Sequence, residues 1–362
     1  MKVAYFITSH GYGHATRTLA ILDVFAKQVN SLEISIFSSL PKQFFEESLK
    51  SINLKVYSIQ TDVGLIQKSP FEHNINSTIN ELERFLLFKN PEFEQTKKIL
   101  QSIKPSFIVS DISPLGIFLA NQLKIPSVLI ENFTWDWIYK SYLKDEPRFG
   151  SLMQRLREIL ALTDLRIQTR PICERINKLP LINPIFRTAR ESAKSTKTKL
   201  GIKNQKPIVL ITTGGITQDF TFIEKLEKRD DFTFIITGNT QKAENKENII
   251  FISSNSSHYF PDIVQSASLI VGKAGYGTVA EAWGNNKVFF PVFRHNFRES
   301  STLKAFLDLE VPGKELSLEK FLSGNWIYEL NINSNKTNQF EAKKEKLNGK
   351  NQVFQLISNW LN

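Results

Sequence analysis

At 362 residues the chain is longer than one hydrophobic core usually serves, so two domains are expected, and its 41% hydrophobic and 23% charged residues are those of an ordinary soluble globular protein. A single cysteine, Cys173, excludes an internal disulfide and a cysteine-cluster metal site; no apolar run reaches bilayer-spanning length. The net charge of +10 points to an anionic partner, either nucleotide phosphates or an anionic membrane surface, and no basic stripe interleaved with aromatics speaks for nucleic acid.

Met1 to Ile7 enter a strand pattern with no cleavage-site signature, so a cytoplasmic location is expected, and Asn76-Ser77-Thr78 and Asn132-Phe133-Thr134 are expected to carry no glycan. Short apolar runs then alternate with longer amphipathic ones, which predicts parallel sheets with crossover helices. In the first half strands are expected at 3–8, 33–37, 54–59, 107–110, 127–131 and 165–168. The first of them ends in Ser9-His10-Gly11-Tyr12-Gly13-His14-Ala15-Thr16-Arg17 and leads to a helix pattern over 18–25. A histidine at a helix amino terminus has its charged form disfavoured by the dipole, so His14 suits a general base; the alternative is a capping or packing histidine. Asp111 closes the strand at 107–110, at the same carboxyl edge. It either holds the other ring nitrogen of His14 or caps the helix after Pro114.

The Ser, Thr and Lys-rich stretch 187–205 is the expected linker, open to two readings: a solvated hinge or a contact with anionic lipid. Beyond it, strands are expected at 207–213, 232–237, 249–252, 268–271 and 288–291. Gly214-Gly215 come directly after the first of these and either admit a ligand close to the backbone or turn the chain. Gly272-Lys273-Ala274-Gly275-Tyr276-Gly277-Thr278-Val279-Ala280-Glu281 reads as strand, glycine-rich turn and helix. It is either a phosphate cradle or a tight turn before a helix capped by Thr278 in a capping box with Glu281. After the last strand, His295, Asn296, Glu299 and Ser300 form a polar set suited to a polyhydroxylated ligand. A polar stretch, 331–346, precedes a helix-like end at 353–361.

The spacing Gly-Tyr-Gly-Thr-x-x-Glu-Ala from Gly275, then a strand ending in Pro291, then His295-Asn296 and Glu299, resembles the donor-binding signature of two-domain nucleotide-sugar glycosyltransferases of the GT-B fold, including family 28 and the UDP-glycosyltransferases. The chain is also similar to the glycosyltransferase-like amino-terminal region of the plant L-arabinokinases, at residues 11–17, at Ser110-Asp111, at Asn132-Phe133-Thr134-Trp135-Asp136 with Ile138-Tyr139, and at Gly272-Lys273 with Gly275-Tyr276-Gly277-Thr278-Val279; nothing resembles their kinase half. The resemblance implies two Rossmann-like α/β domains facing across a cleft: an acceptor domain over 1–186, the linker 187–205, a donor domain over 206–335, and a polar stretch and helix over 336–362. It makes His14 the base and Asp111 its partner acid. The donor falls to Gly214, Gly215, Lys273, the diphosphate turn Gly275, Tyr276, Gly277 and Thr278, the ribose acid Glu281, and His295, Asn296, Glu299 and Ser300. The last two stand where many relatives place glutamine or asparagine against the sugar. Gly11, Tyr12, Gly13, Arg17, Trp135 and Asp136 are expected on the acceptor side, although Trp135 and Trp137 suit a core equally well.

The implied activity is inverting, metal-independent transfer of a hexosyl group from a nucleotide-sugar, a UDP-sugar above all, to a small-molecule or lipid-linked acceptor hydroxyl. No cofactor beyond the nucleotide-sugar substrate is expected, and no Asp-x-Asp metal motif occurs. A catalytically silent nucleotide-sugar-binding module and a nucleotide-sugar epimerase are the competing readings. The residues do not choose a peripheral location at the inner membrane face over a free one, nor an oligomeric state.

Overall fold

The computed structural model describes residues 1–49, 53–67, 73–214, 219–238, 245–253, 256, 258–331 and 347–362. The chain divides into two units: Met1–Ile185 with Phe297–Glu299 and Asn348–Asn362, and Phe186–Asn296 with Ser300–Leu347.

The first unit holds a parallel sheet in the order β3-β2-β1-β4-β5-β6-β7, from β1 (Lys2–Ile7), β2 (Glu33–Phe37), β3 (Asn53–Tyr57), β4 (Phe107–Asp111), β5 (Ser127–Glu131), β6 (Leu165–Thr169) and β7 (Leu181–Ile182). Alternation along β1 sends Val3, Tyr5 and Ile7 into one core and Ala4 and Phe6 into the other, so the sheet is covered on both faces. The helices are α1 (Tyr12–Gln28), α2 (Lys42–Ser48), α3 (Ile75–Phe85), α4 (Pro91–Ile103), α5 (Pro114–Leu123), α6 (Trp135–Tyr139) and α7 (Phe149–Leu160). Helix α1 begins six residues before the expected start at Thr18, because Gly11 at φ 88° turns the chain into it at Tyr12. Strand β7 is a further difference: two residues are too short to show a period.

The second unit repeats the design with β8 (Ile208–Thr212), β9 (Thr233–Thr237), β10 (Ile249–Ile252), β11 (Leu269–Lys273) and β12 (Val288–Val292) in the parallel order β10-β9-β8-β11-β12. Its helices are α8 (Ala193–Lys199), α9 (Ile223–Glu227), α10 (Phe260–Ser266), α11 (Tyr276–Gly284), α12 (Glu299–Glu310, whose first residue is counted with the first unit) and α13 (Leu318–Ser323).

The stretch expected as a linker, 187–205, is part of this second unit. Ser192 caps α8 on the N–H of Ser195, Ile202 joins the core, and Asp262 of α10 accepts from the backbone N–H groups of Arg190 at 2.6 Å and Glu191 at 3.1 Å. Arg190 lies 4.0 Å over the Tyr259 ring. A few anchored residues hold a segment whose composition alone looks solvated. The carboxyl-terminal helix α14 (Gly349–Leu361) in turn belongs to the first unit. Its Val353 and Ile357, one turn apart, are fully buried in the α1 core, each contributing about 1.5–3 kcal/mol. Most of the polar stretch before it, 332–346, lies outside the described residues.

In such sheets ligands bind beyond the carboxyl ends of the strands where the order reverses. Those strands are β1 and β4 in the first unit and β8 and β11 in the second. Among the described residues no helix is long and apolar enough to cross a membrane.

Candidate functional site

At the first switch point Ile7, the last residue of β1, is in register with Asp111, the last of β4. The turn at Gly11 starts α1 so that His14 falls in its first turn, with Nδ1 donating to Asp111 Oδ1 at 2.7 Å. Asp111 is therefore the partner of His14 and not a cap; the N-cap of α5 is Ser113. Arg17, three residues along the same helical face, donates from Nε to Asp111 Oδ2 and from Nη2 to Oδ1, both at 2.5 Å. Its Nη1 donates to Asn132 Oδ1 at 2.6 Å, and Asn132 Nδ2 donates to Glu299 Oε1 at 2.8 Å. Arg17, Asp111 and Asn132 are wholly buried, which rules out a glycan at Asn132 in the folded chain.

Burial, followed by the Arg17 charge, lowers the pKa of His14 against the opposing pull of Asp111 and Glu299. For Asp111 burial works upward, but Arg17 and His14 outweigh it and hold the carboxyl below its usual range. The pair is thus a neutral imidazole on an ionised carboxylate. The bond at Nδ1 assigns the proton there, so Nε2 is the basic nitrogen, and it has no hydrogen-bond partner among the described residues.

The residues expected on the acceptor side divide. Gly11, Tyr12 and Gly13 lead into His14 and are part-exposed, with Tyr12 edge-on to Phe44. Arg17 is instead the inner partner of Asp111. Trp135 and Asp136 are buried: Trp135 Nε1 donates to Asp62 Oδ2 at 2.7 Å, and Asp136 accepts from Arg157 at 3.0 Å. These aromatics are core. Asp62, which stands in no motif, is a buried acid whose carboxyl is pushed up to about 7 by burial, with Asp111 adding to the rise and hydrogen bonds from Thr8 and Trp135 opposing it. A hollow of about 250 Å³ opens at the other, amino-terminal edge of this sheet, beside Lys2, Glu33 and Lys55, away from His14.

At the second switch point Gly272 of β11 is in register with Thr212 of β8. Gly272 has φ 146°, and a Cβ there would lie 1.8 Å from the Thr212 carbonyl oxygen, so this glycine serves the approach of two strands. Gly275, by contrast, has no atom of the described residues within 4 Å of a Cβ position and is the N-cap of α11. The expected turn Gly275 to Thr278 is therefore shorter: Tyr276, Gly277 and Thr278 already form the first helical turn. Thr278 is not the cap, no side chain among the described residues caps the helix, and the capping box with Glu281 does not form. Glu281 pairs instead with Arg187, whose Nε and Nη2 both lie 2.9 Å from its Oε1. Burial outweighs the attraction of Arg187 and pushes the Glu281 carboxyl upward.

Lys273 closes β11 and is buried, and Gly214 comes after β8 at φ 71°; Gly215 lies outside the described residues. His295 and Asn296 are exposed after β12, and Ser300 Oγ donates to Arg294 O at 3.0 Å. Glu299 departs from this polar set: it is counted with the first unit, on Asn132. Among the described residues no three His, Cys, Asp or Glu gather as a metal site.

The chain is 26% identical over 330 residues to L-arabinokinase of Arabidopsis thaliana, covering 89% of this chain and 31% of that protein, so it spans about a third of that relative's length. Two solved structures are similar over almost their whole length. One is the glycotransferase of kitacinnamycin (TM-score 0.66, 12% identity, 100% of this chain and 99% of the other); the second is Arabidopsis thaliana UGT89C1 complexed with UDP (TM-score 0.64, 11% identity, 100% of both). At these identities they show the GT-B fold. Residues 1–305 match the family described as glycosyl transferase family 1, most of the chain, and the chain therefore belongs to that family as a glycosyltransferase.

Proposed function

We propose that the chain transfers a sugar from a nucleoside-diphosphate sugar of the UDP class to an acceptor hydroxyl, with inversion at the anomeric carbon and without a metal. The observation that carries this reading is the His14–Asp111 pair at the switch point of the first sheet, with Nδ1 held and Nε2 unpartnered among the described residues. His14 Nε2 takes the proton of the acceptor hydroxyl as its oxygen bonds to the anomeric carbon, and the bond from that carbon to the diphosphate oxygen breaks. Asp111 fixes the ring and stabilises the imidazolium.

For the leaving diphosphate, support comes from the uncapped amino terminus of α11 at Gly275, with its backbone N–H groups and positive dipole end, and from Lys273. Gly214, His295, Asn296 and Ser300 surround the same carboxyl edge and suit the remainder of the donor. Glu281, committed to Arg187, is the residue least suited to its expected ribose contact. Similar structures complexed with UDP and with dTDP support a nucleoside-diphosphate donor without choosing its base; a small-molecule and a lipid-linked acceptor both supply such a hydroxyl.

UDP-, GDP- and dTDP-sugars are to be offered with a panel of acceptors to the wild-type chain and to His14→Ala. The variant is expected to lose about 10²–10⁴-fold in turnover while keeping its nucleotide-sugar affinity. Full activity in the variant removes His14 from the base role. Tight binding with no turnover by the wild type on any acceptor leaves a binding module, and a product of unchanged anomeric configuration excludes inversion.

A further inference from the structure

We infer that Arg17 is a positioning residue for His14: its guanidinium occupies both oxygens of Asp111, shares that carboxylate's charge and locks the orientation that presents Nε2. The catalytic consequence rests on the reading of His14 as base; the effect on the imidazole itself does not.

The geometry is specific to arginine. Nε and Nη2 span the two carboxylate oxygens, while Nη1 reaches Asn132, a planar fork that a lysine ammonium cannot reproduce. A wholly buried guanidinium is costly unless its donors are met, and here Asp111 and Asn132 meet them. The amide of Asn132 is oriented from both sides, by Arg17 on its oxygen and by Glu299 on its nitrogen. Asp111 Oδ1 accepts from both His14 and Arg17, so it cannot turn away from the ring without breaking the fork.

Among the described residues the charged groups acting on His14 are Asp111 at the end of β4, Arg17 on its own helix, and Glu299 from the 297–299 segment; Tyr5 on β1 and Asp62 after β3 act on or with Asp111. A histidine against a bare carboxylate would gain proton affinity. Here the carboxylate is already matched by a fixed positive charge, and a proton arriving on His14 meets an ion pair. Burial first, and the Arg17 charge after it, keep the imidazole neutral to lower pH, ready to accept a proton and to give it up afterwards.

The test is a proton titration of the histidine rings by NMR in the full chain, with His14 identified by the signal lost in His14→Gln. Wild-type His14 is expected to titrate below the ordinary imidazole value of about 6.5. In Arg17→Met it should bind its proton about tenfold more tightly. In Arg17→Lys, which keeps the charge without the fork, the gain should be smaller, about threefold. A wild-type His14 at or above the ordinary value overturns the inference, as does an unchanged or weaker affinity in Arg17→Met; if that variant does not fold, wild type and Arg17→Lys decide. No donor or acceptor enters the measurement. Failure to find transfer leaves it standing, and an ordinary His14 titration sinks it without touching the transferase reading.

Discussion

The switch points of the two sheets share a topology, a central strand pair β1/β4 or β8/β11 flanked in the same order, yet they are furnished in opposite ways. The first is built from side chains: His14, Asp111, Arg17, Asn132 and Glu299 form one buried chain of hydrogen bonds that ends at His14 Nε2, a nitrogen with no partner among the described residues. The second is built from backbone and space, with an uncapped helix end at Gly275, open room beside it, and part-exposed or exposed polar residues after β12. A site that moves a proton needs a group held in one orientation, and only packed, paired side chains give that. A site that holds a phosphate needs several N–H donors and room, which a glycine turn gives. On the proposed reading one topology carries two chemistries, decided by the loops and helix starts attached to its strand ends.

The largest break in that comparison is His14→Ala, with its expected 10²–10⁴-fold loss of turnover against unchanged donor affinity. Within the second sheet, Gly272→Ala should cost at least about 3 kcal/mol in a denaturant titration, because the new methyl meets the Thr212 carbonyl and both central strands must shift. A cost within about 0.5 kcal/mol would mean that β8 and β11 yield easily.

Asp62 gives a pH-dependent test of the first unit. Its folded carboxyl, at about 7, lies above its ordinary 3.8, so the fold favours the neutral acid. That contribution is present below about 4 and is lost as pH climbs through about 7. Asp62→Asn should remove this slope and be more stable than wild type at pH 8 by roughly a few kcal/mol. Parallel stability curves from pH 4 to 8 would show that the carboxyl is ionised in the fold throughout. The smallest effect is the sharpest contrast with Gly272. Gly275→Ala should leave stability within about 0.5 kcal/mol and weaken nucleotide-sugar binding about tenfold, read as a lost ligand-induced thermal shift. An unaltered shift would take the turn out of the donor site.

Strands are legible in the sequence because they are apolar runs whose burial on both faces leaves no polar alternation to misread, as in β4 and β5. The start of α1 is not, since two glycines ahead of His14 argue against helix on propensity alone and only the turn at Gly11 admits one. His14 and Asp111 can be proposed from their places at strand ends. Arg17 reads as an acceptor-side residue because a charged residue is expected outside, and nothing local announces a buried guanidinium. Glu299 groups with His295 by chain proximity, and Glu281 with Thr278 by a spacing that holds only if the helix begins later than it does.

What the sequence by itself determined is therefore local: the order of strands and helices, the two glycine-rich strand ends, and the residue types set at them. The pairings were decided by tertiary structure alone. His14 meets Asp111 across 97 residues, Arg187 meets Glu281 across 94, and Asn132 meets Glu299 across 167. A buried charge takes whichever opposite charge or hydrogen-bond donor the folded core brings within reach, because burial makes an unpaired one prohibitive, and that distance is a property of the packed sheet and not of the spacing along the chain.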